Sequence, residues 1–92
     1  MLKRSHMRNG KTRVTFSLPA DQAPPGTVSV VGDFNDWTPG RHELTRRSSG
    51  VCSVTADLSS GAHRFRYLAA HDVWFDDPTA DRIDDSGSVI VI

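Results

Sequence analysis

The sequence predicts an all-β protein, an antiparallel β-sandwich of about seven short strands. Three observations lead there. Apolar and polar residues alternate with a period of two in several short runs, as strands with one buried face require. Clusters of Gly, Pro, Ser, Asn and Asp interrupt those runs at roughly 8–12-residue spacing. No segment carries the apolar period of an amphipathic helix.

The elements follow in chain order. Residues 1–12 have no apolar period and read as a flexible basic arm, so the folded domain is expected over residues 13–92. Val14, Phe16 and Leu18 alternate with Thr15 and Ser17 in a half-buried strand, which Pro19 and the run Ala23-Pro24-Pro25-Gly26 end. Residues 28–32 are apolar enough for a central strand. Asn35, Asp36, Pro39 and Gly40 mark the loop that follows. A short strand is expected over 42–45. Cys52, Val54, Ala56 and Leu58 alternate with Ser53, Thr55 and Asp57. After the turn at Ser59-Ser60-Gly61, His63, Phe65, Tyr67 and Ala69 alternate with Arg64, Arg66 and Leu68. His71-Asp72 reads as a hairpin tip, with Val73 and Phe75 on one face of the next strand and Asp72, Trp74 and Asp76 on the other. Asp77-Pro78 breaks the run, and residues 88–92 form the last strand.

Composition narrows the function. In 92 residues, 37% are hydrophobic and 24% charged, which fits a folded soluble domain and not a disordered one. Eleven basic residues balance eleven acidic ones, and a net charge of zero argues against nucleic acid as a partner. The apolar runs are short, as at residues 89–92, so no membrane span or leader core is expected, and the cytoplasm is the expected compartment. A (β/α) barrel needs about 250 residues, so no such catalytic domain is expected within this chain. Cys52 is the one cysteine, which excludes an internal disulfide and a cysteine-based zinc site. The charge is uneven: Lys3, Arg4, Arg8, Lys11 and Arg13 crowd the start, while Asp72, Asp76, Asp77, Asp81, Asp84 and Asp85 crowd the end. Solvated segments are the preferred reading; the sharper one is that the two ends attract each other.

Catalytic constellations are missing. Glu43 is the one glutamate, and Asp76 and Asp77 are adjacent, so strand alternation sends them to opposite faces. That does not make the facing carboxylate pair of glycoside hydrolysis. Neither a nucleophile elbow nor a phosphate-binding loop occurs. The histidines His6, His42, His63 and His71 lack ligand-like spacing, and residues 81–87 lack the ligand pattern of a calcium loop. No catalytic residue, metal or cofactor is expected.

The aromatics carry more. Phe16, Phe65 and Phe75 suit a core, but Trp37 lies inside turn chemistry and Trp74 shares its face with aspartates. An indole on a polar face points to a binding surface. The C–H face of a glucose ring packs on a flat indole, and its hydroxyl edge accepts hydrogen bonds from a guanidinium. Arg66 is the matching residue, since alternation puts it on the polar face. The alternatives are a lid role for Trp37, edge cover for Trp74, and a salt bridge from Arg66 to Asp72 or Asp76.

The same residues carry a family resemblance. The run from Val28 through Gly32-Asp33-Phe34-Asn35-Asp36-Trp37 resembles the opening of family 48 carbohydrate-binding modules, which include the glycogen-binding domains of AMP-activated kinase β subunits and the early-set domains of isoamylase and branching enzymes. Gly61-Ala62-His63-Arg64-Phe65-Arg66-Tyr67, Val73-Trp74-Phe75-Asp76-Asp77-Pro78 and Gly87-Ser88-Val89-Ile90 resemble later parts of that family. The resemblance implies an immunoglobulin-like sandwich that binds α-1,4-glucans without catalysis. It places the sugar platform on Trp37 and Trp74, a hydroxyl-binding cation on Arg66 and a further hydroxyl contact on Ser88. Ser86 and Ile90 stand where the family has a protruding leucine and an asparagine. The alternative that the resemblance implies is a module that docks onto a glycogen-metabolising enzyme or kinase complex.

Overall fold

The structure, a computed structural model, describes residues 2–6 and 10–92. The alternating runs become strands, and their apolar sets turn inward. Val14 and Phe16 of β2 (Thr12–Leu18) are fully buried, as are Phe65 and Tyr67 of β6 (Ala62–Ala69). Between these lie β3 (Val28–Gly32), β4 (Thr45–Arg46) and β5 (Cys52–Leu58), and beyond them β7 (Val73–Phe75), β8 (Arg82–Asp84) and β9 (Gly87–Val91). A further strand, β1 (Leu2–His6), precedes them.

Two antiparallel sheets stack as a sandwich. One has the order β1-β2-β5-β4; the other has β3-β6-β9-β8, with β7 also paired to β6. Their inner faces interlock through aromatic contacts. Phe16 meets Phe65 edge-on at 5.1 Å across the sandwich, and within the second sheet Tyr67 lies 5.2 Å from Phe75. Burial of each such ring is worth about 2–3 kcal/mol before entropy is counted. Cys52 is buried in this core, as its alternating run implied.

The strand count is nine among the described residues, against about seven expected. Two additions account for it. β8 forms from the polar loop after Pro78 by pairing with β9. β1 lies in the segment read from sequence as an arm, where it pairs with β2 from Leu2↔Phe16 to His6↔Thr12. Residues 1 and 7–9 of that segment lie outside the described residues. The opposed charges of the two ends do meet: Arg4 Nη2 donates to Asp81 Oδ2 at 2.6 Å. Both groups are more than a third exposed, so the pair adds about 0–1 kcal/mol.

The strand expected over 42–45 divides between the sheets. Leu44 N–H donates to Val28 O and Glu43 bridges Ser29, whereas Thr45 pairs with Ser53 of β5. The corner buries Leu44. Among the described residues, no helix is long and apolar enough to cross a membrane.

Candidate functional site

The outer face of the second sheet follows from alternation. Phe65, Tyr67 and Ala69 point into the core, so Arg64, Arg66 and Leu68 point out. Leu68 pairs with Trp74 on β7 and Arg66 pairs with Val31 on β3. Directly opposed residues share a face, so Trp74 and Arg66 project from the same side. Trp74 is 46% exposed.

Trp37 reaches this region from the other flank. Residues 33–42 run beside β3: Trp37 N–H donates to Gly32 O at 2.9 Å, and Gly40 N–H donates to Ser29 Oγ at 3.2 Å. Trp37 is 36% exposed, so neither indole is sealed in the core. β3 and β7 lie on opposite edges of β6, about 10 Å apart at ordinary strand spacing. The Trp37 backbone is thus bonded to β3 on one side of β6, and Trp74 lies on β7 on the other.

The loop holding Trp37 is built around Asn35, which is buried. Its Oδ1 accepts from Gly32 N–H, and its Nδ2 donates to Val30 O and to His42 Nδ1, each at 3.0 Å. Burial, followed by the nearby Arg41 charge, lowers the pKa of His42, which matches a neutral ring accepting at Nδ1. Asp36 and Trp37 then both take left-handed backbone, with φ of 55° and 54°. That region is costly for a bulky side chain.

Arg66 sits where the partner of β6 changes from β9 to β7, between the pairs Phe65↔Ser88 and Tyr67↔Phe75. Its Nη2 donates to Asp85 O at 3.0 Å, and its Nε lies 3.4 Å from Asp76 Oδ1. The stem crosses Gly87, where an added Cβ would stand 3.2 Å from Arg66 Cγ. The Asp76 salt bridge weighed from sequence therefore exists, and it holds the cation on the outer face. Next along β6, Arg64 donates to Asp84 Oδ2 at 2.6 Å.

Ser88 corrects an expectation. It is fully buried, its hydroxyl donating to Asp76 Oδ1 and accepting from Asp77 N–H. No surface remains for a sugar hydroxyl. Its pairing with the inward Phe65 explains this, and the outward positions of β9 are Gly87, Val89 and Val91, none with a polar side chain. Ile90 is likewise a core residue. Ser88 acts on Arg66 indirectly, by fixing Asp76. The paired aspartates diverge as alternation requires: Asp77 is fully buried and accepts from Tyr67 Oη at 2.6 Å.

Sequence reasoning did not assign roles to Asp33 or Gly87. Asp33 Oδ1 accepts from Trp37 Nε1 at 2.8 Å, and its Oδ2 accepts from Arg64 N–H at 3.1 Å. The Trp37 bond is local, four residues along the chain, whereas the Arg64 bond joins segments distant in the chain. A cleft of about 370 Å³, lined by residues that include Lys11, Phe34 and His63, contains neither tryptophan.

A family model described as the glycogen recognition site of AMP-activated protein kinase matches residues 7–92. The chain is 36% identical over 75 residues to a 1,4-alpha-glucan branching enzyme of Cupriavidus pinatubonensis, covering 75% of this chain and 10% of that enzyme. It is 34% identical over 59 residues to the branching enzyme of Thermosynechococcus vestitus, covering 64% and 7%. It is 40% identical over 40 residues to a branching enzyme of Xanthomonas campestris pv. campestris, covering 44% and 6%. The chain thus spans a tenth or less of the length of these relatives.

Proposed function

The chain belongs to the family described as the glycogen recognition site of AMP-activated protein kinase, and from that membership we propose a non-catalytic module that binds α-1,4-glucans such as glycogen, starch and maltooligosaccharides. One observation carries the proposal: two part-exposed tryptophans lie on segments either side of the strand that presents Arg66. In this reading Trp37 and Trp74 stack on the C–H faces of glucose units. The guanidinium of Arg66, steadied by Asp76 and Asp85, donates to hydroxyls at the edge.

The module brings no hydrolytic chemistry in this reading. Asp77 is sealed beneath Tyr67, and Asp76 is engaged by Arg66 and Ser88, so these two do not form a facing carboxylate pair. A shallow face without the family's leucine buries little area, so the affinity is weak, with Kd of ~10 µM to 1 mM. The ligand class is supported by the relatives, which are 1,4-alpha-glucan branching enzymes, and a cytoplasmic location is part of the same reading.

Trp37→Ala and Trp74→Ala are each expected to abolish retardation in a native gel containing glycogen, with the fold checked by circular dichroism. Arg66→Ala is expected to weaken retardation without abolishing it. If both folded tryptophan variants migrate like the parent, the glucan reading is wrong.

A second reading has its own support. The matched relatives are large enzymes in which a segment like this forms a small part, so the face would instead dock on a glycogen-metabolising enzyme, with the indoles as anchors. Capture of a branching enzyme by the immobilised protein, with and without maltoheptaose, separates the two. Capture that persists under saturating maltoheptaose favours docking.

A further inference from the structure

We propose that Asp33 is a positioning residue that fixes the Trp37 indole for sugar stacking by tying it to β6; this rests on the glucan reading of Trp37. A part-exposed tryptophan in a loop would ordinarily sample several rotamers and lose that freedom on binding, which costs affinity. Here the indole is anchored at its one polar atom. Nε1–H donates to Asp33 Oδ1 at 2.8 Å, a distance typical of a hydrogen bond to a carboxylate. The carboxylate is itself anchored, because Oδ2 accepts from the backbone of Arg64 at 3.1 Å. Arg64 is two residues from Arg66 on the same strand and the same face. One carboxylate therefore spans the gap between the loop platform and the strand that carries the cation.

The backbone points the same way. Asp36 and Trp37 hold left-handed φ values of 55° and 54°, and Trp37 N–H donates to Gly32 O. Strain of this kind persists where surrounding bonds over-determine the conformation. The main-chain bond and the Asp33 bond together do that. A consequence for recognition follows. With Nε1–H committed to Asp33, the Trp37 indole offers a sugar its ring face and no donor.

The test uses the full chain, maltoheptaose and two readouts. In a ¹H–¹⁵N spectrum, Trp74→Phe identifies the Trp37 indole N–H signal. Asp33→Ala, which removes the acceptor, is expected to speed solvent exchange of that N–H at least about tenfold. Asp33→Ala is also expected to raise the maltoheptaose Kd about 3- to 10-fold. Trp37→Phe keeps a ring face and removes the donor, so adding Asp33→Ala to it should leave the Kd within about twofold of Trp37→Phe alone. Equal weakening by Asp33→Ala in the Trp37 and Phe backgrounds overturns the proposal, since Asp33 then acts through the Arg64 edge alone. Unchanged exchange and affinity in Asp33→Ala also overturn it. If Trp37→Ala leaves the Kd unchanged while exchange still responds to Asp33→Ala, the glucan role of Trp37 fails. The bond is then structural only, and the positioning role falls with it. Should Asp33→Ala not fold, Asp33→Leu, close to aspartate in shape and without an acceptor, carries the same comparison.

Discussion

Gly32 shows how tightly single residues are constrained. Its backbone is ordinary extended chain, so conformational freedom is not the reason for a glycine there. Close approach is: an added Cβ would stand 2.6 Å from Arg64 O and 2.8 Å from Phe65 Cβ. Gly32→Ala is expected to cost about 1–3 kcal/mol, read as a lower urea midpoint, because the neighbours are backbone and core and cannot swing away. Tyr67 is constrained by polarity instead. Burial, then its bond to Asp77, pushes the phenol pKa far above its ordinary value, so the hydroxyl stays a donor. Tyr67→Phe removes one donor from a buried carboxylate and is expected to cost about 1–3 kcal/mol by urea unfolding. The proposed glycogen retention should survive, since the ring faces the core and not the outer face of the sheet.

At the scale of the element, residues 33–42 act as one unit. Asn35 joins Gly32, Val30 and His42, so the loop is held to β3 at both its ends. Replacement by alanine leaves Gly32 N–H and Val30 O without that partner, and Asn35→Ala is expected to cost about 2 kcal/mol or more. His42 makes the loop sensitive to pH. Its folded-state pKa lies below the ordinary 6.5, so the unfolded chain takes up the proton first as pH falls. The fold therefore keeps this contribution above pH 6.5 and loses it as pH drops from there to the folded-state value. A protonated ring also turns Nδ1 from acceptor to donor, facing the Asn35 amide. His42→Gln is expected to flatten the urea midpoint across that window.

The whole molecule has a separate acid limb. Asp77 pays for burial, but donation from Thr79 and Tyr67 outweighs it and holds its pKa below the ordinary value. Val91 N–H, with Arg4, does the same for Asp81; Arg64, with Ser86 N–H, does so for Asp84. A carboxylate with a lowered folded-state pKa stabilises the fold above its unfolded value of about 4 and loses that contribution as pH falls further. Thermal unfolding followed from pH 7 to pH 2 should show two descents, the first from His42 and the second, below about pH 4, from these aspartates. These groups join distant parts of the chain, since Asp81 links β1 to β9 and Asp77 links β6 to the turn at Thr79.

Strand positions were legible in the sequence because alternation is a local property. A run such as Val14, Phe16 and Leu18 needs one buried face wherever the chain goes, and the outward placement of Arg66 follows from the inward placement of Phe65 and Tyr67. The oddity of Trp37 and Trp74 was equally local, since each stood among polar or turn-forming residues. Pairing across the chain was not local, and it decided the rest. β1 is a strand because the edge of β2 accepts it, although its own residues show no apolar period. The segment 42–46 splits because two sheets compete for it at a corner. Ser88 faces inward because register with Phe65 leaves it no choice, and the carboxylate of Asp33, which meets Trp37 locally, also meets Arg64 because β6 passes beside the loop. Local side-chain chemistry decided which residues alternate inward and outward; hydrogen-bond register between remote strands decided which of them stay exposed.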